Sequence, residues 1–525
     1  MKKLICFILP VLLLSCSKGT ADSDFIPDQS PDGEVYHEMI VLGEKMEDPY
    51  AVENIQRAYA SLYPTKAARL DVKPTDLYVR FLPESDAQLR TLLATGVSLT
   101  DHPLDYRIVK EGDYYHDPDV GEEQITWQYA VVDKAFAFPE GIRYELLDEC
   151  YISEHDPATR AADCDVDWDA VERAAYELTG NGDLLVPETK ADPGVPSGRI
   201  TIVDKDYAGG KPFGVAGVTV VCNSFVKFDK CYTDRDGYYT MKKTYKANPR
   251  FRLMFQNETG FSIGFNLILI PASVSTLGKG TPEGLSVQVT PESEGALFRR
   301  CAVNNAAYDY YKRCGENDMN LTPPPSGIRI WIFKNMDSSS ASMLHHGAFI
   351  NNNLFAKYLG AYASLIKTFL PDITIGCEGL NDYSRIYRSV THELSHASHY
   401  AQVGNDFWNP YITYIITSWI MGTSMYGDGT DADAGYCEIG EMWAYYMESK
   451  MYQERYGGSM PTFGTSYWFY PQIFRYLDER GIPRSYLLKA MTKDVNTREK
   501  LKKKLLEQNP SRQSLINQVF ERYAD

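Results

Sequence analysis

Thr391-His-Glu-Leu-Ser-His396 is the most informative stretch of this sequence. It lies within residues 381–402, where apolar residues recur at helical spacing and predict a buried helix. The apolar stripe consists of Ile386, Val390, Leu394 and Ala397. Because four residues advance an α-helix by little more than one turn, His392 and His396 face the same way and can hold one zinc ion. Glu393 falls beside them, where it can act as a general base toward water.

A zinc site that acts on a substrate needs a third protein ligand. The downstream stretch Gly440-Glu-Met-Trp-Ala-Tyr-Tyr446 resembles the glutamate helix of the gluzincins, the thermolysin-like clan of zinc peptidases, whose pattern is E-x-x-A. This resemblance makes Glu441 the third ligand. Glu438 is the alternative, although it lacks a small residue three positions later. Thermolysin has Asp four residues after this Glu, where Tyr445 stands here, so the residue that orients a zinc-binding histidine must come from elsewhere.

The metzincin pattern is excluded as a source of the third ligand. It requires Gly at 399 and His at 402, where this chain has His399 and Gln402. His399 shares the helix face of the motif but lies too far along the axis to reach the same ion. We therefore predict that His399 lies outside the ligand set or at the surface.

The gluzincin resemblance also implies a Tyr or His, from the later helical half, that stabilises the oxyanion of the tetrahedral intermediate. Tyr467 and Tyr470 are the candidates, although aromatic residues in such a run are more often part of a core. By order along the chain alone, Ser340-Ala-Ser-Met-Leu344 takes the place of the edge strand that pairs with substrate backbone in this clan.

The sequence upstream of the motif divides into three stretches that differ in their predicted secondary structure. Residues 50–152 mix strand and helix patterns and predict an α+β domain, which is either an inhibitory prodomain or a recognition domain. Residues 153–197 predict a connector. Residues 198–293 contain short β-rich runs. Two of their stretches, Gly217-Val-Thr-Val220 and Thr233-Asp-Arg-Asp-Gly-Tyr-Tyr239, are similar to the carboxypeptidase regulatory-like, or transthyretin-like, β-sandwich.

The predicted fold class is therefore multidomain. An N-terminal α+β domain and an all-β sandwich precede an α+β zincin-like metallopeptidase domain with a mostly helical C-terminal half. This gluzincin-like catalytic domain covers residues 294–525. A chain of 525 residues is longer than one hydrophobic core usually serves, which agrees with a division into several domains.

The N-terminus resembles a bacterial lipoprotein signal. Lys2 and Lys3 precede an apolar run that is too short to span a bilayer, and the run ends in Leu13-Leu-Ser-Cys16. This lipobox-like ending predicts a signal peptide over residues 1–16, lipid attachment to Cys16 and a polar tether over residues 17–49. The resemblance places the protein on the bacterial envelope, at the outer membrane or cell surface, with plain secretion as the alternative.

Composition limits the partners. The net charge of -17 argues against nucleic acid, because a phosphate backbone requires clustered cations. The motif favours a protein or peptide substrate hydrolysed with Zn2+. The alternative is a surface lipoprotein that captures glycans or proteins and carries an inactive peptidase-like domain, and glycan contact is an expectation of that alternative.

Cysteine usage fits export, since eight thiols would remain after removal of Cys6 and lipidation of Cys16. Neighbours along the chain suggest disulfides, while free buried thiols are the alternative. The suggested pairs are Cys150 with Cys164, Cys222 with Cys231, Cys301 with Cys314, and Cys377 with Cys437.

Overall fold

The structure is a computed structural model that describes most of the chain. The described residues are 39–65, 71–112, 115–121, 124–160, 166–187, 194–264, 272, 274–293, 296–316, 319–333, 372–377, 380–420, 426–459 and 468–523. Several of the sequence predictions fall on residues outside these ranges. They are the signal peptide, the lipid site Cys16, residues 17–38 of the tether, Cys164, the edge strand 340–344 and Tyr467.

The N-terminal region combines strands with a few helices. Its strands are β1 (Val41–Lys45), β2 (Asp76–Leu82), β3 (Tyr106–Lys110), β4 (Gln128–Asp133) and β5 (Arg143–Cys150). Its helices are α1 (Val52–Leu62), α2 (Asp86–Ala94) and α3 (Trp168–Leu178). Antiparallel pairing joins β1 to β3 and places β2 between β4 and β5. The helix α3 lies in the predicted connector and packs on α1, so it belongs to the N-terminal region.

The β-rich middle follows. Its strands are β6 (Ser197–Ile202), β7 (Phe213–Gly214), β8 (Val218–Ser224), β9 (Lys227–Tyr232), β10 (Tyr238–Thr240), β11 (Arg250–Asn257), β12 (Ser262–Gly264), β13 (Val274–Lys279) and β14 (Val287–Val289). Residues alternate between the faces of a strand. In β11, Phe251, Leu253 and Phe255 therefore enter the main core, whereas Met254 enters a small cluster on the opposite face.

One sheet runs from the β-rich middle into the C-terminal half. Its described strands include β15 (Arg329–Phe333) and β16 (Ile373–Gly376), in the order β16-β15-β12-β11-β8-β9, with β13 paired to β11. The pairings of β12 with β15 and of β15 with β16 are parallel. This sheet crosses residue 293, where the sequence analysis placed the end of the sandwich.

The C-terminal half is mostly helical. Its helices are α4 (Leu297–Cys314), α5 (Tyr383–Val403), α6 (Asn405–Ile420), α7 (Ala434–Tyr456), α8 (Gln472–Glu479), α9 (Arg484–Ala490), α10 (Arg498–Gln508) and α11 (Gln513–Arg522). The helix α5 packs against α4, α7 and β16. A single apolar core extends from Ile200 to Phe520. The coarse prediction of a sheet-rich N-terminal region and a helical C-terminal half is confirmed.

The predicted disulfides are absent from the part of the chain that the structure describes, where the cysteines are free thiols. Cys222 and Cys231 lie on paired strands but are diagonal, because Cys222 is in register with Asp229. Diagonal neighbours are about 7–8 Å apart, beyond the reach of a disulfide. Cys301 and Cys314 lie on one helix and are separated by roughly 20 Å along its axis. Cys377 and Cys437 are buried free thiols, as is Cys150, whereas Cys164 lies outside the described ranges.

Among the residues that the structure describes, no helix has both the length and the apolar character needed to cross a bilayer.

Candidate metal centre

The helix α5 carries the H-E-x-x-H motif. Its first turn is capped by Asp382, whose side chain accepts hydrogen bonds from the backbone N–H groups of Ser384 and Arg385. The residue after its last one, Gly404, has a φ of 66°, in the left-handed region that favours glycine. Ile386, Tyr387, Val390 and Leu394 bury one side of the helix in the main core. The motif residues are buried as well, so this helix is an internal element.

The helix α7 supplies the acidic side chains. It packs lengthwise against α5, and Glu441 on it is completely buried. A Cβ added at Gly440 would lie 3.4 Å from the Tyr411 ring and 4.0 Å from Nδ1 of His396, which are ordinary van der Waals distances. The residue before Glu441 therefore lies against both α6 and α5.

Three side chains converge between these helices. Nε2 of His392 lies 3.5 Å from Oε2 of Glu441, and Nε2 of His396 lies 3.5 Å from Oε1. One ligand atom from each residue lies within 4.8 Å of the other two. Donors bonded to a tetrahedral zinc ion at about 2.0–2.1 Å are about 3.4 Å apart. The residues therefore fit a zinc ion in donor type and in spacing.

The far side of His392 is held by a second carboxylate of α7. Nδ1 of His392 lies 3.1 Å from Oε2 of Glu448, and Oε1 of Glu448 accepts a hydrogen bond of 2.7 Å from Nε of Arg388. Glu448 is completely buried. A carboxylate in this position fixes which ring nitrogen of the histidine carries the proton.

Glu441 is itself oriented by α6. The hydroxyl of Tyr411 donates a hydrogen bond of 2.5 Å to Oε1 of Glu441. The Tyr411 ring also packs near His396, with 5.9 Å between ring centroids. A carboxylate held in this way loses little rotational freedom when it binds an ion.

The electrostatics of the cluster favour a cation. Burial lowers the pKa of His392, but hydrogen bonds to Glu441 and Glu448 outweigh it and raise that pKa to about 9. Burial raises the pKa of Glu441, but His396 and His392 outweigh it and lower that pKa to about 2. Burial lowers the pKa of His396. In the absence of a metal, a proton on His392 thus provides the positive charge that these carboxylates require.

No protein-family model, curated protein or solved structure matches this chain. The chemistry of the site therefore has to be inferred from its own geometry. Three buried carboxylates, those of Glu393, Glu441 and Glu448, surround two imidazoles and one guanidinium. A divalent cation would balance that charge, and a combination of imidazole and carboxylate donors suits zinc.

Glu393 is 1 % exposed and follows His392 on the same helix. Its negative charge is close enough to His392 to contribute to the raised pKa of that histidine. A carboxylate buried beside these candidate ligands is far from an ordinary solvated residue on a helix surface. This placement suits a base.

The two other residues that the sequence analysis weighed as ligands, Glu438 and His399, contact different side chains. Glu438 pairs with Nε of Arg498 at 2.5 Å and lies outside the three-residue group. His399 is buried rather than at the surface, because Phe407 packs on its ring at a centroid distance of 4.6 Å. Burial and the neighbouring His396 lower the pKa of His399 to about 3.

Tyr470 lies in the packing of the last helices. Its ring lies 5.2 Å from that of Tyr523, and the guanidinium of Arg498 lies 5.1 Å from its centroid. Tyr445, like Tyr411, contacts the candidate site, since the Tyr445 ring meets His392 edge-on at 4.7 Å. The Tyr445 hydroxyl lies 3.1 Å from that of Tyr426. Tyr445 is thus the aromatic neighbour of the site that the sequence analysis treated only as a departure from thermolysin.

Sequence reasoning missed Glu448 and Tyr411. A signal for Glu448 was present, because Glu441 and Glu448 are seven residues apart and therefore share a helix face. The sequence held no comparable signal for Tyr411, which reaches the site from a different helix.

Proposed function

We propose that this chain is a zinc-dependent peptidase whose metal ligands are His392, His396 and Glu441. The observation that carries the proposal is the convergence of these three buried side chains at distances suited to one tetrahedral ion. The substrate would be a protein or peptide outside the cell. We thus propose both the identity of the metal, zinc, and the reaction, peptide-bond hydrolysis.

The chain's own residues supply the remaining parts of hydrolysis. A bound zinc ion would supply a Lewis acid that polarises the substrate carbonyl and activates water. The carboxylate of Glu393 would take the proton from the attacking water and pass it to the leaving amine. Arg388, through Glu448, would hold the proton of His392 at Nδ1 and leave Nε2 for the metal.

We also propose that the protein is exported and held on the bacterial envelope by lipid on Cys16. The support is the sequence alone, namely Lys2 and Lys3, a short apolar run and the lipobox-like Leu13-Leu-Ser-Cys16. Radiolabelled palmitate should enter the full-length chain expressed in a lipoprotein-processing bacterium and should not enter Cys16→Ala. Equal labelling of both chains would overturn this part of the proposal.

The alternative function, a lipoprotein that captures glycans or proteins without hydrolysing them, requires different residues at the site. A protein that only binds its partner has no need of a carboxylate buried beside His392, whereas a hydrolase needs a base. Metal content and peptide hydrolysis, measured on the parent chain and on Glu393→Gln, separate the two functions. The capture function predicts no hydrolysis by either chain.

A further inference from the structure

The turn between β8 and β9 is unusual in its residues. Ser224 pairs with Lys227 across the hairpin, so Phe225 and Val226 form a two-residue loop. Such loops favour Asn-Gly or Gly-containing pairs, because positive φ angles are required. Phe225 nevertheless has a φ of 49°. A bulky residue in this region persists only where its surroundings hold it, so turn geometry does not account for the choice of Phe and Val.

The tip of this hairpin is buried in the N-terminal region. Phe225 is 5 % exposed, and Val226 and Lys227 are completely buried. The Phe225 ring meets Tyr176 of α3 edge-on, with 5.8 Å between centroids. Other residues of the N-terminal region in the same apolar cluster are Tyr50, Tyr78, Leu104, Val120, Trp127, Tyr129 and Cys150. The N-terminal region thus forms an aromatic socket around two apolar residues of a hairpin.

The socket also satisfies the charge of Lys227. Nζ of Lys227 lies 2.9 Å from Oε2 of Glu172 and 2.7 Å from Oε1 of Glu154. The other oxygen of Glu172 accepts a hydrogen bond of 2.6 Å from the hydroxyl of Tyr50. The hydroxyls of Ser224 and Tyr176 lie 2.7 Å apart. Each of these polar groups is therefore paired, either across the contact between the hairpin and the N-terminal region or within the socket.

Two further ion pairs surround Lys227, and their cations and carboxylates lie on the same sides of the contact as those of the Lys227 pairs. Nε of Arg250 lies 3.0 Å from Oε2 of Glu111, and Nζ of Lys246 lies 2.6 Å from Oδ2 of Asp169. The cations belong to the β-rich middle and the carboxylates to the N-terminal region, as they do at Lys227. The carboxylates of Glu111 and Asp169 are 45 % and 66 % exposed, which places these pairs at a rim.

A buried aromatic anchor, a desolvated charge and a polar rim are the features of a protein–protein interface. We propose that residues 39–187 form a separable module whose acidic, tyrosine-rich socket binds the hairpin tip, residues 224–227. The hairpin tip is thus an interaction surface for this module. A cut in the connecting segment 188–193 then leaves a non-covalent complex. The proposal does not depend on the proposed function, because none of these residues belongs to the metal centre.

The experiment uses the full chain with residues 188–193 replaced by the recognition sequence of a site-specific protease. After cleavage, size-exclusion chromatography at about 1 μM and at increasing salt follows whether the two pieces separate. Phe225→Gly removes the anchoring ring while relieving the positive φ of the turn, so the hairpin itself should not be harmed. Lys227→Met removes the central cation. Lys493→Met is the control, because its pair with Asp406 is exposed and lies in the helical half.

The cleaved parent and Lys493→Met should elute as one species at low salt. Phe225→Gly and Lys227→Met should weaken the complex by at least roughly 30-fold and elute as two species. Salt should weaken the parent complex through its rim pairs. Circular dichroism of the uncut variants checks that they fold. Immediate separation of the cleaved parent, or equal association of a folded Phe225→Gly chain and the parent, would overturn the proposal.

Discussion

Nδ1 of His392 lies 3.1 Å from Oε2 of Glu448, a carboxylate two helical turns beyond Glu441 on the same helix. The other oxygen of Glu448 is held by Arg388 at 2.7 Å. One helix therefore offers a carboxylate to each side of the same imidazole. The ring is fixed with Nδ1 protonated and Nε2 directed toward Glu441.

Glu448→Gln should weaken zinc binding without abolishing it. The amide keeps the shape of the side chain but loses the charge that orients His392, and such changes cost about 10–100-fold in metal affinity. Competition with a chromophoric chelator measures this affinity directly. Glu438→Gln is the matched control on the same helix, because Glu438 pairs with Arg498 outside the ligand group. Equal zinc affinities of both variants and the parent would contradict this role of Glu448.

Tyr411→Phe should also lower zinc affinity, by several-fold. The substitution removes the 2.5 Å hydrogen bond to Oε1 of Glu441 and leaves the ring packing in place. The same chelator competition applies. Tyr414→Phe is the control on the same helix, because the Tyr414 hydroxyl bonds to the backbone oxygen of Tyr426. The prediction fails if the two variants lose affinity equally.

Zinc binding should release about one proton at pH 7.5. Without metal, the carboxylates of Glu441 and Glu448 raise the pKa of His392 to about 9, so this imidazole is protonated at neutral pH. A metal binds only the deprotonated ring nitrogen, so zinc affinity should rise as the pH increases toward 9 and fall as it decreases. Calorimetry in buffers of different ionisation enthalpy counts the protons. Binding without proton release, and with no pH dependence between pH 6 and 9, would refute the prediction.

Arg455→Met should lower the free energy of unfolding by about 3 kcal/mol, because it removes the cation from beside a buried carboxylate. Arg455 lies 3.6 Å from Asp204, whose side chain is completely buried, and its guanidinium lies 3.9 Å from the centroid of the Tyr207 ring. Arg455 thereby joins α7 to the β-rich middle. Urea denaturation provides the measurement. Arg475→Met, which breaks an exposed pair with Glu479, should change stability by less than about 0.5 kcal/mol, and equal losses would contradict the assignment.

The sequence predicted the residues of the candidate site better than their surroundings. His392, Glu393 and His396 are tied together by the period of one helix, so their placement needed no tertiary information. Glu441 required a motif on a second helix. Glu448 and Tyr411 depend on how α5, α6 and α7 pack, and spacing along the chain does not encode those angles.

The organisation of the sheets was predicted less completely. Short β-rich runs indicated strands before residue 293, but strand order depends on long-range pairing. The parallel partner of β12 is β15, far along the chain, and this pairing carries the sheet into the C-terminal half. The suggested pairing of Cys222 with Cys231 is missing from the structure for a related reason. Proximity of Cys222 and Cys231 in sequence did not reveal a register that places them diagonally.

The peptidase proposal is decided by zinc content and peptide hydrolysis, measured together on the chain from Ser17 and on its Glu393→Gln variant. We expect about one zinc ion per chain in both proteins. We also expect the parent to cleave a mixed peptide library, with cleavage reduced at least roughly 100-fold in the variant, because a general base contributes 10²–10⁴-fold. Absence of zinc from the folded parent, or equal cleavage by the two proteins, would overturn the proposal.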